Sequence, residues 1–318
     1  MRGGGRSRRG FSSVGRASRA AGLPSVSAPT RPAELLSAAA RRIPRSDAEY
    51  ILEHILGTKR HELYSRATVL PARTGQRFAA LVERVRSGEP VQYVTGRAHF
   101  LDFSVRVDDR VLIPRPETEE LVSRAAGRVG RDSVFGTRDS KDRGRRPLLF
   151  LDFGTGSGCI AIALARMFPD ARVVAVDVSS AALRVCRLNA GMLGVAGRVR
   201  TICADRLDHP RLRPCRGRLS LLVSNPPYVP SDRIDKLDAR VRSYEPRLAL
   251  DGGPKGTSIL TMILEKGPGM LAPGGLLAME IDSTHPRRLK EYGPLEIEKD
   301  LAGRPRYLFM RRRCQGEQ

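Results

Sequence analysis

The chain has 318 residues, 41% of them hydrophobic, which allows one large domain plus a smaller one and a substantial buried core. No apolar stretch reaches the about 18 residues of a membrane-spanning helix, and the five cysteines and five histidines are scattered without a CxxC pair, which argues against a membrane span, a metal site and a disulfide framework. The net charge of +22 favours anionic partners such as RNA or a ribosome-bound complex, although an arginine-rich genomic composition would produce the same excess.

The first 33 residues hold seven arginines and no acidic residue, which leaves +15 on the remainder. Residues 1–32 are expected to form a disordered basic tail or a mitochondrial presequence, with Arg9-Gly10-Phe11-Ser12 suited to cleavage. A basic bacterial tail, or a start codon assigned too early, fits the same composition and would leave the chain cytoplasmic. Residues 33–95 read as a small helical domain. Ser46 and Glu49 have capping-box spacing ahead of Tyr50, Ile51, His54 and Ile55, and Gly57 is placed to stop that helix. A second amphipathic helix is expected over 76–87, with Phe78, Leu81, Val82 and Val85 as its stripe and Gly88 just past its end. Nothing in this domain looks catalytic.

Residues 100–107 alternate as a strand, with Leu101, Phe103, Val105 and Val107 on one face, and suggest a hairpin over 96–112 that links two domains. Ile113-Pro114-Arg115-Pro116-Glu117-Thr118-Glu119 follows, and Pro116 suits the first turn of a helix ending near Ala126. The polar stretch 128–147 reads as a surface loop or insertion. Beyond it strands are expected at 148–153, 172–178, 199–203, 219–224, 276–281, 295–299 and 306–311, with helices at 159–168, 181–193 and 258–270. This alternation makes residues 113–318 an α/β domain, Rossmann-like, with a mostly parallel sheet and helices on both faces.

Three constellations carry chemistry. Asp152-Phe153-Gly154-Thr155-Gly156-Ser157-Gly158 directly follows a buried strand, and its alternating glycines let the backbone turn sharply and approach a ligand. The third glycine comes one residue too early for the dinucleotide fingerprint. The loop suits S-adenosylmethionine, which has no pyrophosphate to cradle. Asp177, at the end of the next strand, is placed to accept two hydrogen bonds from a ribose diol, and it equally suits a helix N-cap in competition with Ser179 and Ser180. Asp205, after the third strand, is a weaker candidate for the adenine amino group. The third constellation is Asn225-Pro226-Pro227-Tyr228. Its prolines fix φ and remove two backbone donors, so a substrate NH₂ can donate one hydrogen to the Asn225 side chain and one to the Pro226 carbonyl. Tyr228 can stack on a flat substrate group. An amide nitrogen is a poor nucleophile, so orientation and desolvation must supply much of the catalysis.

Asn225-Pro226-Pro227-Tyr228 resembles the motif of methyltransferases that act on planar NH₂ groups. Ile113 to Glu119, the run Tyr244-Glu245-Pro246-Arg247-Leu248-Ala249-Leu250-Asp251-Gly252-Gly253 and the helical segment near Ser46 are similar to the HemK/PrmC-type release factor glutamine methyltransferases. That resemblance implies a seven-stranded class I methyltransferase sheet behind an N-terminal helical domain that recognises substrate. It implies methylation at N5 of the glutamine in the Gly-Gly-Gln motif of a peptide chain release factor. It also implies a cofactor site at Gly154, Thr155, Gly156, Ser157, Gly158 and Asp177, with Asn225, Pro226, Pro227 and Tyr228 on the glutamine amide. Arg115 and Glu117 would organise the cofactor side or the domain junction, or serve structure alone. Asp282 stands where bacterial members usually have glycine, and Glu280-Ile281-Asp282 with His285-Pro286 resembles the animal mitochondrial branch.

Two other readings compete. A nucleic-acid amino-methyltransferase of the adenine-N6 type would use the same tetrapeptide and the basic body, but no target-recognition domain is evident and aromatics are only 5%. A non-catalytic cofactor-binding partner of RNA or the ribosome would not need an intact Asn225 and Tyr228.

Overall fold

The computed structural model describes residues 29–65, 69–135, 147–292 and 295–313. Most of the basic tail, residues 136–146 of the expected insertion, and Cys314 lie outside these residues. The chain divides into two compact units between Arg86 and Ser87.

The first unit is helical: α1 Pro32–Ala39, α2 Arg45–Leu56, α3 Glu62–Ser65 and α4 Ala72–Arg86. Leu35, Leu36, Ile51, Leu52, Phe78, Val82 and Val85 are among its buried side chains. The Ser46–Glu49 capping box does not form. Pro44, with its fixed φ, takes the N-cap position of α2, so Ser46 already lies inside the helix. Glu49 is instead buried and paired with Arg45 and Arg60, and it accepts a hydrogen bond from the Tyr64 hydroxyl. Gly57 ends α2 in the left-handed conformation, φ 63°. Helix α4 starts at Ala72, one turn before the expected start, because its first turn is anchored on the Pro71 carbonyl rather than on the apolar stripe.

The second unit opens with α5 Val91–Thr95 and an antiparallel hairpin, β1 Arg97–Phe100 and β2 Phe103–Arg106. The period-two run across 100–107 is therefore broken: Leu101 sits in the turn at φ 53°, and Phe100 pairs with Phe103 at a ring-centroid distance of 5.8 Å. Val105 and Val107 keep their expected burial.

Helix α6 runs Pro116–Phe135, nine residues beyond its expected end, so the first part of the polar stretch is helical. Gly127 and Gly130 do not stop it. Leu121, Val122, Ala125 and Val129 continue one buried stripe, and that burial outweighs the roughly 1 kcal/mol helix penalty of each glycine. Arg124 and Arg128 on the same helix lie over the rings of Tyr307 and Phe309, at 4.8 Å and 3.9 Å.

The seven-stranded sheet has the order β5-β4-β3-β6-β7-β9-β8, made of β3 Leu149–Phe153, β4 Arg172–Asp177, β5 Val199–Cys203, β6 Leu219–Ser224, β7 Leu271–Glu280, β8 Glu296–Lys299 and β9 Pro305–Arg311. Strands β3 to β7 are parallel, and β9 pairs antiparallel with both of its neighbours. Helices α7 Cys159–Met167, α8 Ser180–Met192, α9 Ala239–Tyr244 and α10 Ser258–Lys266 complete the unit. Successive strand residues feed two cores. Phe150, Val173, Leu221 and Leu276 join one, with α6, α7 and α8; Leu151, Val174, Leu222 and Leu277 join the other, with α10. This is the class I methyltransferase sheet. Its order turns back on itself between β3 and β6, and the crevice for a ligand opens outside the carboxyl ends of the strands at such a point.

Candidate active site

A cavity of about 320 Å³ occupies this crevice. It is lined by the loop after β3, by Asp177, Val178 and Ser179 after β4, by Ala204 and Asp205 after β5, and by Asn225, Pro226 and Pro227 after β6. The strand ends thus bring together every expected cofactor residue except Gly158, which lies just behind the lining.

The glycine loop is held from below. The Gly154 and Thr155 N–H groups donate to the Val176 carbonyl at 2.8 and 2.9 Å. Gly154, Gly156 and Gly158 have φ of 77°, 53° and 84°. At Gly158 the space is also closed, because an added Cβ would lie 2.6 Å from the Cys186 Sγ. Asp152 is fully buried beneath the loop and accepts from the Thr155 hydroxyl at 2.6 Å and from the Ala161 N–H at 3.2 Å. Burial pushes its carboxyl up to about 7, against the effect of the two hydrogen bonds. Asn189 on α8 is wholly buried and clasps the same loop to the hairpin. It donates to the Ser157 carbonyl at 2.8 Å and to the Arg106 carbonyl at 3.0 Å, and accepts from the Arg106 N–H at 2.7 Å.

Asp177 accepts from the Gly156 N–H at 2.9 Å and from the Ser179 N–H at 2.8 Å, one on each oxygen. Ser179, not Asp177, caps α8, taking the Ala182 N–H at 3.1 Å. Asp177 is therefore free of helix capping, and it lines the cavity. Burial raises its pKa, while the backbone donors oppose that rise. Asp205 is exposed at the cavity edge.

These residues fit S-adenosylmethionine: closely approaching backbone for the amino-acid part, a carboxylate for the diol, and an apolar shelf of Val178, Ala204 and Ile259 for a flat base.

Asn225 follows β6 as Gly154 follows β3, and a Cβ at Gly154 would lie 3.8 Å from the Asn225 backbone oxygen. Asn225 donates from Nδ2 to the Thr118 Oγ1 at 2.9 Å. Thr118, in the first turn of α6, donates to Glu280 Oε2 at 2.8 Å. The Tyr228 hydroxyl donates to the other Glu280 oxygen at 3.1 Å. Tyr228 is not among the cavity-lining residues, and its hydroxyl is engaged by Glu280. Burial raises the pKa of Glu280, and the Thr118 and Tyr228 hydroxyls and the Arg306 guanidinium act in the opposite direction.

The run from Tyr244 to Gly253 braces the tetrapeptide. Val229 and Asp251 form a bridge, and a Cβ at Gly252 would lie 2.7 Å from the Pro227 carbonyl oxygen, so only glycine fits there. Glu245, buried, accepts from the Ile113 N–H at 3.4 Å and pairs with Arg115, which joins two stretches of cavity wall. Glu117 is not among the lining residues.

Thr118, Glu280, Asp152 and Asn189 were not singled out as site residues from sequence. One signal was available: Glu280 ends an otherwise apolar strand, and a carboxylate there must find partners when buried.

Two family models match the chain: the PrmC N-terminal domain over residues 30–96 and the methyltransferase small domain over residues 143–240. A release factor glutamine methyltransferase of Chlorobaculum tepidum is 43% identical over 239 residues, which span 75% of this chain and 78% of that relative. The protein of the same name from Moorella thermoacetica is 39% identical over 280 residues, 85% of this chain and 92% of the relative. The human MTRF1L release factor glutamine methyltransferase is 35% identical over 288 residues, 86% of this chain and 83% of the relative.

Proposed function

Because the chain belongs to the release factor glutamine methyltransferase family, we propose that it transfers a methyl group from S-adenosylmethionine to N5 of the glutamine in a release factor's Gly-Gly-Gln motif. The observation that carries the acceptor assignment is Asn225. Its NH₂ is committed to Thr118, so its carbonyl oxygen is left for the cavity, next to the Pro226 carbonyl.

The cofactor supplies an electrophilic sulfonium methyl whose leaving group is a neutral thioether. The protein's part is to make a delocalised amide nitrogen attack it. Asn225 Oδ1 and the Pro226 oxygen accept the two amide hydrogens, which fixes the plane of the NH₂ and aims its lone pair toward the cofactor cradle. Both acceptors also draw positive charge toward the hydrogens, so they stabilise the charge that develops on nitrogen as the N–C bond forms. The nitrogen then gives up one hydrogen as a proton to solvent. The prolines offer no N–H that would compete for these oxygens. Asp177 orients the ribose, and the glycine loop the amino-acid end.

The test uses purified protein, labelled cofactor and a release factor. Label should appear on the Gly-Gly-Gln glutamine. Asn225→Ala should lose label about a hundredfold or more, in keeping with the loss of one preorganised polar group, while still binding S-adenosylhomocysteine. Equal labelling by Asn225→Ala would reject the acceptor assignment. Family membership sets aside the nucleic-acid substrate. The acid-free, arginine-rich start supports a mitochondrial location, which mapping of the mature N-terminus in cells tests, and the basic body supports association with the ribosome.

A further inference from the structure

We infer that Thr118, oriented by Glu280, is a positioning residue that sets which end of the Asn225 amide faces the substrate; the inference rests on the acceptor assignment above. An asparagine amide has two ends of nearly equal shape and opposite hydrogen-bonding sense. Only the carbonyl end can accept a substrate N–H. Turned by half a rotation, Asn225 would point its own NH₂ at the substrate NH₂, donor against donor. Something must therefore fix its polarity.

The hydroxyl chain does this. Glu280 is 1% exposed and receives a hydroxyl on each oxygen, Thr118 at 2.8 Å and Tyr228 at 3.1 Å. Each Glu280 oxygen thus accepts a hydroxyl proton, and these two donors with the Arg306 guanidinium favour the carboxylate against the burial that raises its pKa. Thr118 has one hydroxyl proton, and that proton goes to Glu280. Its oxygen can then only accept from Asn225, at 2.9 Å, so the end of Asn225 that meets Thr118 must be the NH₂. The carbonyl is left for the cavity. The chain reaches across 162 residues from Thr118 to Glu280 and 107 from Thr118 to Asn225, and it joins the start of α6, the end of β7 and the end of β6. Thr118 also lines the cavity, yet its hydroxyl is fully engaged by this chain.

The experiment separates the hydroxyl from packing. Thr118→Val keeps the branched shape and removes the hydroxyl; Thr118→Ser keeps the hydroxyl and removes the methyl. Each is assayed for kcat and KM with a release factor, for S-adenosylhomocysteine affinity and for thermal unfolding. The expected result is that Thr118→Val lowers kcat about tenfold to a hundredfold, the effect of one buried donor left without its acceptor, with cofactor affinity held. Thr118→Ser should stay close to the unaltered protein. A packing role predicts the reverse order, and Thr118→Ser falling as far as Thr118→Val, or Thr118→Val retaining full kcat, overturns the inference. If Thr118→Val does not fold, Thr118→Ser and Thr118→Ala, which differ only in the hydroxyl, carry the same comparison, and equal kcat in that pair overturns it. Asn225→Ala run alongside tells the two readings apart. Retained activity there sinks the acceptor assignment, whereas an inactive Asn225→Ala beside a fully active Thr118→Val sinks only the role of Thr118.

Discussion

Replacing Asp152 with asparagine should remove a specific part of the pH dependence of stability. The Asp152 carboxyl is buried completely, and its Oδ1 has no hydrogen-bond partner among the described residues. Burial moves it from the ordinary 3.8 to about 7. Between those two values the folded chain holds a proton that the unfolded chain has released. The unfolded state binds fewer protons there, so stability falls as pH rises through the window and levels off above about 7. A shift of about three units corresponds to about 4 kcal/mol, of which about 2 kcal/mol lies between pH 5 and pH 7. Asparagine has nearly the same shape, keeps an oxygen for the Thr155 hydroxyl and the Ala161 N–H, and does not titrate. Denaturant unfolding of both proteins at pH 5, 6, 7 and 8 gives the comparison. Glu280, whose pKa is also raised, contributes to both curves and cancels in the difference, whereas Asp177 is coupled to Asp152 and is counted with it. The unaltered protein should lose about 2 kcal/mol more than Asp152→Asn between pH 5 and pH 7. Parallel curves would refute the reasoning.

Gly158→Ala should destabilise the second unit by roughly 2–4 kcal/mol in thermal or denaturant unfolding, since φ is 84° and the new Cβ meets Cys186 Sγ at 2.6 Å. Adding Cys186→Ala should recover only part of that loss, because the Cys186 Cα stays 3.3 Å away. Asp177→Ala should raise the S-adenosylhomocysteine dissociation constant about tenfold to a hundredfold in calorimetry, since it removes both the charged acceptor for the diol and the anchor of the Gly156 N–H; an unchanged constant would reject its role.

The parts of the site that backbone chemistry dictates could be read in advance. Alternating glycines after an apolar strand, a carboxylate at the end of the next strand and a proline pair after a fourth each impose a conformation by themselves, and the sheet brings all three to one edge. The parts that depend on distant partners could not. Thr118 looks like an ordinary first-turn residue until β7 delivers Glu280, and Asn189 looks like one polar position on α8 until the hairpin and the glycine loop close on it. The errors in the elements have the same origin. Gly127 and Gly130 suggest a helix stop by propensity, and Ser46 suggests a cap by spacing, but buried stripes and a neighbouring proline decide both cases.

The side-by-side placement of β3 and β6 acts as a fixed gauge. Phe153 is paired with Ser224, the Ser224 hydroxyl locks onto the Phe153 carbonyl at 2.7 Å, and the next residue on each strand is Gly154 or Asn225. With the roles proposed above, the cradle of the methyl donor and the clamp of the acceptor stand one strand spacing apart, about 4.8 Å, without any loop movement to set it. One inserted residue in either strand would leave both halves able to hold their ligands and yet unable to react, because the two would no longer be level.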